Sequence, residues 1–253
     1  MREFERDKWG RLLERVLQSP TGVDVKELDE WFHNGLPSLV LDQGELVLRD
    51  PVAAYRSYVA LLRETIVAHA VGATALVELG AGYGSVLLGV AADPALARCQ
   101  LTAAELTPSG RRLTKLVAAA TGMLVEAVEC DLEAESIMQL TPAPGSIIFT
   151  SFALMYLNRL PSVFFERVAS WRPSMVIHVE PCTEHSDTQT ILGLLQRRYA
   201  EVNGYNLTIA SDICAAQAQG IVEVTLSEPN WVGTNPLLPG SLIMWRPVHR
   251  ASG

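Results

Sequence analysis

Apolar residues recur at two different spacings in this chain, and the change falls near Thr74. Upstream they return every three or four positions. Residues 2–18 set Phe4, Trp9, Leu12, Leu13, Val16 and Leu17 near one helical face, and Ser19-Pro20-Thr21-Gly22 breaks that run. A short helix is expected over 24–32. Leu39-Val40-Leu41, Asp42-Gln43-Gly44 and Glu45-Leu46-Val47-Leu48 read as a small β-hairpin. Asp50-Pro51 is a helix start, an Asp cap followed by proline at the first helical position, and predicts a helix to about Val71.

Downstream, short apolar runs alternate with helical stretches. Strands are expected at 74–79, 99–105, 124–130, 145–151 and 174–180, with helices at 84–92, 108–121, 133–139, 161–170 and 187–203. Apolar strands separated by helices imply a parallel sheet covered on both faces. Two last strands, 221–227 and 241–246, have only a loop between them and should pair antiparallel. The expected architecture is therefore α/β with seven strands in a three-layer, mostly parallel sheet ending in an antiparallel hairpin. Residues 1–72 form a helical lid with its hairpin, and 73–253 the main domain.

The charge balance, 20 Lys+Arg against 28 Asp+Glu, gives −8, which argues against a nucleic-acid partner needing a basic face. With 49% hydrophobic and 19% charged residues, the chain has enough apolar material for a core. The most apolar stretch, Ile66 to Gly82, is interrupted by His69 and Glu78, so no membrane span is expected. The N-terminus lacks an apolar signal region. Cys99, Cys130, Cys182 and Cys214 form no CxxC pair. A cytoplasmic location is the expectation.

The chemistry concentrates in Leu76-Val77-Glu78-Leu79-Gly80-Ala81-Gly82-Tyr83-Gly84-Ser85, at the end of the first expected strand. Glycines there let the backbone turn tightly and approach a ligand. A dinucleotide fingerprint would need its third glycine at position 85, which is Ser85, and no GK[ST] of a phosphate loop follows. Strand two ends in Glu105, where a carboxylate can accept from both hydroxyls of a ribose. Strand three is followed by Asp131 and Leu132.

The string E-x-G-x-G-x-G with acids at three successive strand ends resembles the class I, Rossmann-like S-adenosylmethionine-dependent methyltransferases, over about residues 74–247. The resemblance implies S-adenosylmethionine as cofactor, S-adenosylhomocysteine as product, and no metal. It implies that Gly80, Gly82 and Gly84 line the methionine and ribose parts, and that Glu78 supports the turn and the methionyl ammonium. Glu105 would take the ribose, Asp131 with Leu132 the adenine, and Ser151 would pass beside the methionine moiety. No [DN]PP[YFW] follows strand four, which weakens a reading as a DNA-adenine or protein-glutamine methyltransferase.

Acceptor residues are sought after strands four and five and on the lid. Pro173 to Gln196 holds Glu180, Glu184 and Asp187 but no Lys or Arg, which favours a cationic or protonatable acceptor. Paired carboxylates would bind the N–H fork of a guanidine and take the proton lost. Glu180 is the first candidate base, Glu184 or Asp187 its partner, and His185 an alternative base. The plainer alternative is that Glu184 and Asp187 charge the start of helix 187–203. A metal site from His178, Glu180, Cys182 and His185 is disfavoured, because His178 and Glu180 share a strand face while Cys182 follows a proline bend.

Tyr55, Arg56 and Tyr58 on the lid are further substrate candidates, Arg56 as a clamp on a carboxylate; core packing is the plainer role for the tyrosines. Phe152, Met155 and Tyr156 would wall the pocket, or fill core. Trp231 and Asn235 lie in the expected loop 228–240. The expected partner is a small-molecule acceptor, with no nucleic acid and no membrane, and the apolar N-terminal helix could cover its own domain or, in a homodimer, a neighbour's. The sharpest expected activity is N-methylation of an arginine-like amine or guanidine. Alternatives are O-methylation of a hydroxyl or carboxylate, a peptide or protein acceptor, and a cofactor-binding subunit without turnover.

Overall fold

The computed structural model describes residues 3–20, 22–33, 36–42, 45–133, 137 and 139–248. The strands are β1 (Ser38–Asp42), β2 (Glu45–Arg49), β3 (Ala75–Leu79), β4 (Gln100–Glu105), β5 (Val125–Glu129), β6 (Ile147–Ser151), β7 (Met175–Glu180), β8 (Val222–Val232) and β9 (Gly240–Pro247). The helices are α1 (Trp9–Gln18), α2 (Val25–His33), α3 (Pro51–Val67), α4 (Ser85–Ala91), α5 (Pro108–Thr121), α6 (Ser162–Ser170), α7 (Ile191–Val202) and α8 (Ile209–Ala218). β3 to β9 form a seven-stranded sheet in the order β5-β4-β3-β6-β7-β9-β8, and β1 with β2 a separate ribbon. The expected mixed sheet with its terminal antiparallel hairpin is present.

The chain divides into two compact units, Met1–Ser38 with Arg49–Leu140, and Leu39–Leu48 with Thr141–Gly253. The residues expected to form one lid fall in both: α1, α2 and α3 belong to the first, and the hairpin to the second.

In the first unit β3, β4 and β5 run parallel, with Leu79 opposite Ala104 and Glu105 opposite Glu129. Every residue of β3 is buried, as a strand covered on both faces requires. Leu12 and Val16 of α1 and Leu28 of α2 pack with Leu113, Val117 and Ala118 of α5 and Tyr83 in one core cluster. The 3.6-residue period of the N-terminal segment thus buries α1 on α5, and each such leucine contributes ~1.5–3 kcal/mol when removed from water. Asp50 caps α3 as its sequence implies, accepting from Ala53 N–H at 2.8 Å.

In the second unit β6 and β7 are parallel, and β9 pairs antiparallel with both β7 and β8. β7 is buried along its whole length, while β8 at the edge shows exposed positions. Among the departures from expectation are two boundaries and one whole element. Helix α7 begins at Ile191 rather than 187, because the Thr190 hydroxyl accepts from Gly193 N–H at 3.0 Å and sets the cap there. β8 extends to Val232, so Trp231 stands on a strand and the connection shortens to 233–239. α8 has no counterpart among the expected elements: its buried side carries Asp212, which breaks the apolar stripe and accepts from Leu160 N–H and the Thr208 hydroxyl. Of the helix expected at 133–139, residues 134–136 and 138 lie outside the described residues, as do 43 and 44 at the hairpin turn. Among the described residues no helix is long and apolar enough to cross a membrane.

Replacing Asp50 by alanine removes an exposed cap without touching the core. Chemical denaturation is expected to show a loss of ~1 kcal/mol with an unchanged denaturant slope; a loss below a few tenths would mean that the cap is not holding α3.

Candidate functional site

The first unit gathers the glycine turn. Gly80, Gly82 and Gly84 all have positive φ, 80°, 57° and 79°, a region that L side chains enter at a cost of ~1–2 kcal/mol. At Gly84 space also forbids a side chain, because a Cβ would lie 2.7 Å from Thr114 Cγ2. At Gly82 a Cβ would lie 2.7 Å from the Trp9 ring.

Four amides of this turn are taken up internally. Gly80 and Ala81 N–H both donate to Ala104 O, at 2.8 and 3.1 Å, and Gly84 N–H donates to Ala81 O at 2.8 Å. Gly82 N–H donates to Glu105 Oε2 at 2.9 Å. The other oxygen of Glu105 accepts from Thr107 N–H at 2.8 Å and from the Thr107 hydroxyl at 2.6 Å. Thr107 in turn caps α5 by accepting from Gly110 N–H. Glu78 is buried and accepts from Leu87 N–H at 3.0 Å; burial pushes its carboxyl well above the usual range, and the nearby Glu105 charge pushes it further. Asp131 is half-buried just past β5 and accepts from Glu133 N–H, and Leu132 beside it is half-buried.

A second group of polar side chains adjoins the turn. The Tyr55 hydroxyl lies 2.5 Å from Ser85 Oγ, the Tyr83 hydroxyl donates to Asp29 at 3.2 Å, and the His33 ring stacks on Tyr55 at 3.9 Å. Burial holds His33 down to about 4, so it is neutral at pH 7. Tyr58 is buried and Arg56 is exposed. Glu5 accepts from the N–H and hydroxyl of Ser109 at the start of α5. Trp9, Glu5, Thr107, Ser85 and His33 were not legible as site residues, although Thr107-Pro108 carries the same cap-and-proline signature as Asp50-Pro51.

The second unit gathers the carboxyl ends of β6 and β7. Glu180 is fully buried, and its Oε1 accepts from Ala153 N–H at 3.0 Å, while its Oε2 makes no hydrogen bond. Burial pushes this carboxyl up to about 7; the nearby Thr150 hydroxyl and the amides of Ala153, Leu154 and Met155 oppose the rise. Behind it runs a chain of buried polar groups. Trp245 Nε1–H donates to His178 Nε2 at 2.9 Å, so the His178 proton sits on Nδ1 and is directed at Thr150 Oγ1, 3.0 Å away. Burial lowers His178 to about 3, in keeping with a neutral ring.

The other acids after β7 do not gather on Glu180. Glu184 is exposed and accepts from Ser211 N–H in the first turn of α8, at 3.0 Å. Asp187 is exposed and accepts from Gln189 N–H at 2.9 Å. His185 is half-buried, with Nδ1 at 2.9 Å from Ser241 Oγ, and burial lowers its pKa. Ser151 and Phe152 are half-buried, and Phe152 has φ 52°. Tyr156 is exposed and meets Tyr205 edge-on at 5.5 Å. Asn235 closes its own turn by accepting from Leu237 N–H at 2.9 Å. Among the described residues no group of three or more His, Cys, Asp or Glu side chains is placed to hold a metal ion.

Neither protein-family models nor curated proteins give a match to this sequence. Solved structures do match in fold. An O-methyltransferase family protein from Burkholderia thailandensis superimposes with a TM-score of 0.55 at 12% identity, over 78% of this chain and 59% of that one. Geranyl diphosphate methyltransferase, solved with GPP and sinefungin, gives 0.54 at 10% identity, over 94% of this chain and 98% of that one. The mitomycin 7-O-methyltransferase MmcR gives 0.50 at 16% identity over 70% of this chain, which spans 49% of its length. The fold is the class I, Rossmann-like methyltransferase fold.

Two substitutions test the geometry. Gly84→Ala adds a strained φ to a clash with Thr114 and is expected to cost about 2–4 kcal/mol in denaturant; near-neutral behaviour would refute the packing. Glu180 has a folded pKa of about 7, above the ~4.3 of a free glutamate. The stability it confers is therefore full at low pH and lost as pH rises through its folded value. The thermal midpoint of the native protein relative to Glu180→Gln should fall between about pH 5 and 7.5; a pH-independent difference would show that the carboxyl is not buried as described.

Proposed function

We propose that this chain is an S-adenosylmethionine-dependent methyltransferase acting on a small molecule with a protonatable nitrogen, an amine or a guanidine. One observation carries the cofactor. The amides of Gly80, Ala81, Gly82 and Gly84 are already bonded, to Ala104, Ala81 and Glu105, and Glu105 and Asp131 stand at and just past the ends of the next two strands. A pyrophosphate needs free N–H groups and meets repulsion from such carboxylates. The ribose hydroxyls, amino group and ammonium of S-adenosylmethionine are all donors, and they suit them. When bound, that cofactor supplies an electrophilic methyl on a sulfonium and leaves as S-adenosylhomocysteine.

The acceptor reading rests on Glu180. A nitrogen can attack only with its lone pair free, so the proton it carries must be accepted nearby. Glu180, with one unbonded oxygen and a pKa of about 7, is suited to that exchange near neutral pH. The guanidine-binding pair of carboxylates expected from the sequence would need Glu184 or Asp187 to leave its amide partner, so Glu180 acts in this reading as a single carboxylate. A second reading, O-methylation, draws on the 7-O-methyltransferase among the similar structures and on His185, whose pKa burial lowers and which Ser241 holds.

S-adenosylhomocysteine should raise the thermal midpoint by several degrees at concentrations where NAD has no effect, by ligand-linked stabilisation. Glu105→Gln keeps the shape but not the charge, and should weaken that binding tenfold or more. Stabilisation by NAD, or none by S-adenosylhomocysteine, would reject the proposal. Turnover with an amine acceptor should fall at least a hundredfold in Glu180→Gln.

A further inference from the structure

Two buried polar atoms of the second unit, an acceptor and a donor, are attached to the same short turn and bond to nothing. The turn is Leu154–Tyr156, which follows β6. Glu180 reaches its start by accepting from Ala153 N–H. Asn206 reaches its middle by donating its backbone N–H to Met155 O at 2.8 Å. Asn206 is 2% exposed and Glu180 0%. Glu180 Oε2 and Asn206 Nδ2 both lack a hydrogen-bond partner.

The orientation of the Asn206 amide follows from its neighbours. Thr208 N–H donates to Asn206 Oδ1 at 2.8 Å, and the Thr208 hydroxyl lies 3.1 Å from the same atom. A backbone N–H can be met only by the oxygen, so the amide cannot be flipped and its NH₂ is the group left over. The segment that carries it is held in place, since Thr183 bonds Leu207 O and Glu184 bonds Ser211 N–H. Buried donors and acceptors in folded proteins are nearly always paired, so a pinned exception needs a physical explanation.

We propose that Asn206 and Glu180 form the two poles of an acceptor subsite for a free amino acid, Glu180 taking an N–H or ammonium group and Asn206 donating to a carboxylate oxygen. This deepens the methyltransferase reading and rests on it for the reaction, though not for the binding. Tyr156 and Tyr205, in edge-to-face contact beside Asn206, supply an apolar wall for the carbon chain. Sequence reading passed over Asn206 because an asparagine after Gly204 reads as loop.

The test is calorimetric titration of the full chain, saturated with S-adenosylhomocysteine, with L-arginine and with agmatine, which lacks the carboxylate. Asn206→Asp keeps the oxygen that caps Thr208 but replaces the donor with a negative charge. The native protein should bind L-arginine at least tenfold more tightly than agmatine. Asn206→Asp should lose that preference, binding L-arginine at least tenfold more weakly and agmatine no more weakly than before. Its thermal shift with S-adenosylhomocysteine should be unchanged, which separates loss of the subsite from loss of fold or cofactor. Equal binding of L-arginine by Asn206→Asp and the native protein would overturn the assignment. So would failure of the native protein to bind L-arginine while S-adenosylhomocysteine still stabilises it. Absence of that stabilisation would overturn the methyltransferase reading instead.

Discussion

The bond from Gly82 N–H to the Glu105 carboxylate is the tie on which the first unit's site depends. A buried carboxylate is costly unless donors surround it, and Glu105 receives three, from Gly82 and twice from Thr107. That arrangement joins the turn after β3 to the end of β4 and to the cap of α5. It also explains Gly110: a Cβ there would lie 2.7 Å from Gly82 O and 2.8 Å from Glu105 Cγ. Glycine at 110 and threonine at 107 are therefore set by the same carboxylate that closes the turn. With four of its amides bonded inward, the turn presents the Glu105 carboxylate at its side.

The second unit solves a different problem, that of a polar chain inside a sheet. Thr150, His178 and Trp245 are each 0% exposed. They stand on β6, β7 and β9, and β7 pairs with each of the other two. An indole can only donate, so one end of the chain has a fixed direction, and the imidazole passes that direction to Thr150. Thr150 is left with its own proton to orient next to Glu180. The charge state of Glu180 is thus balanced between burial, which favours the acid, and a hydroxyl and three amides that favour the carboxylate. Such a balance places a titration near neutral pH without a second charged residue.

The sheet was legible because buried parallel strands read as unbroken apolar runs, as TALVEL and SMVIHVE do. The glycine turn and the acids at three strand ends were legible because they are local. What escaped is non-local or breaks a pattern. Glu5 and Ser109 are 104 positions apart, and nothing in either segment announces the other. α8 hid behind Asp212, a buried acid that satisfies Leu160 and Thr208 rather than water. Asn206 carried no local mark at all, since its significance lies in a donor left unpaired.

The grouping of Glu180, Glu184 and Asp187 shows why proximity along a chain misleads about chemistry. Each carboxylate goes to the nearest amide that lacks a partner, and three different amides were on offer: Ala153, Ser211 and Gln189. Bonding to an amide does not discharge a carboxylate, so Glu184 and Asp187 still contribute a negative field over the end of β7. Such a field acts over several ångströms, while hydrogen bonds need an unspent lone pair in the right place. Of the three, only Glu180 combines burial with an oxygen that has no partner. Under the proposed reading, long-range field and hydrogen bonding are therefore divided between different residues, and the hydrogen bond to the acceptor falls to Glu180.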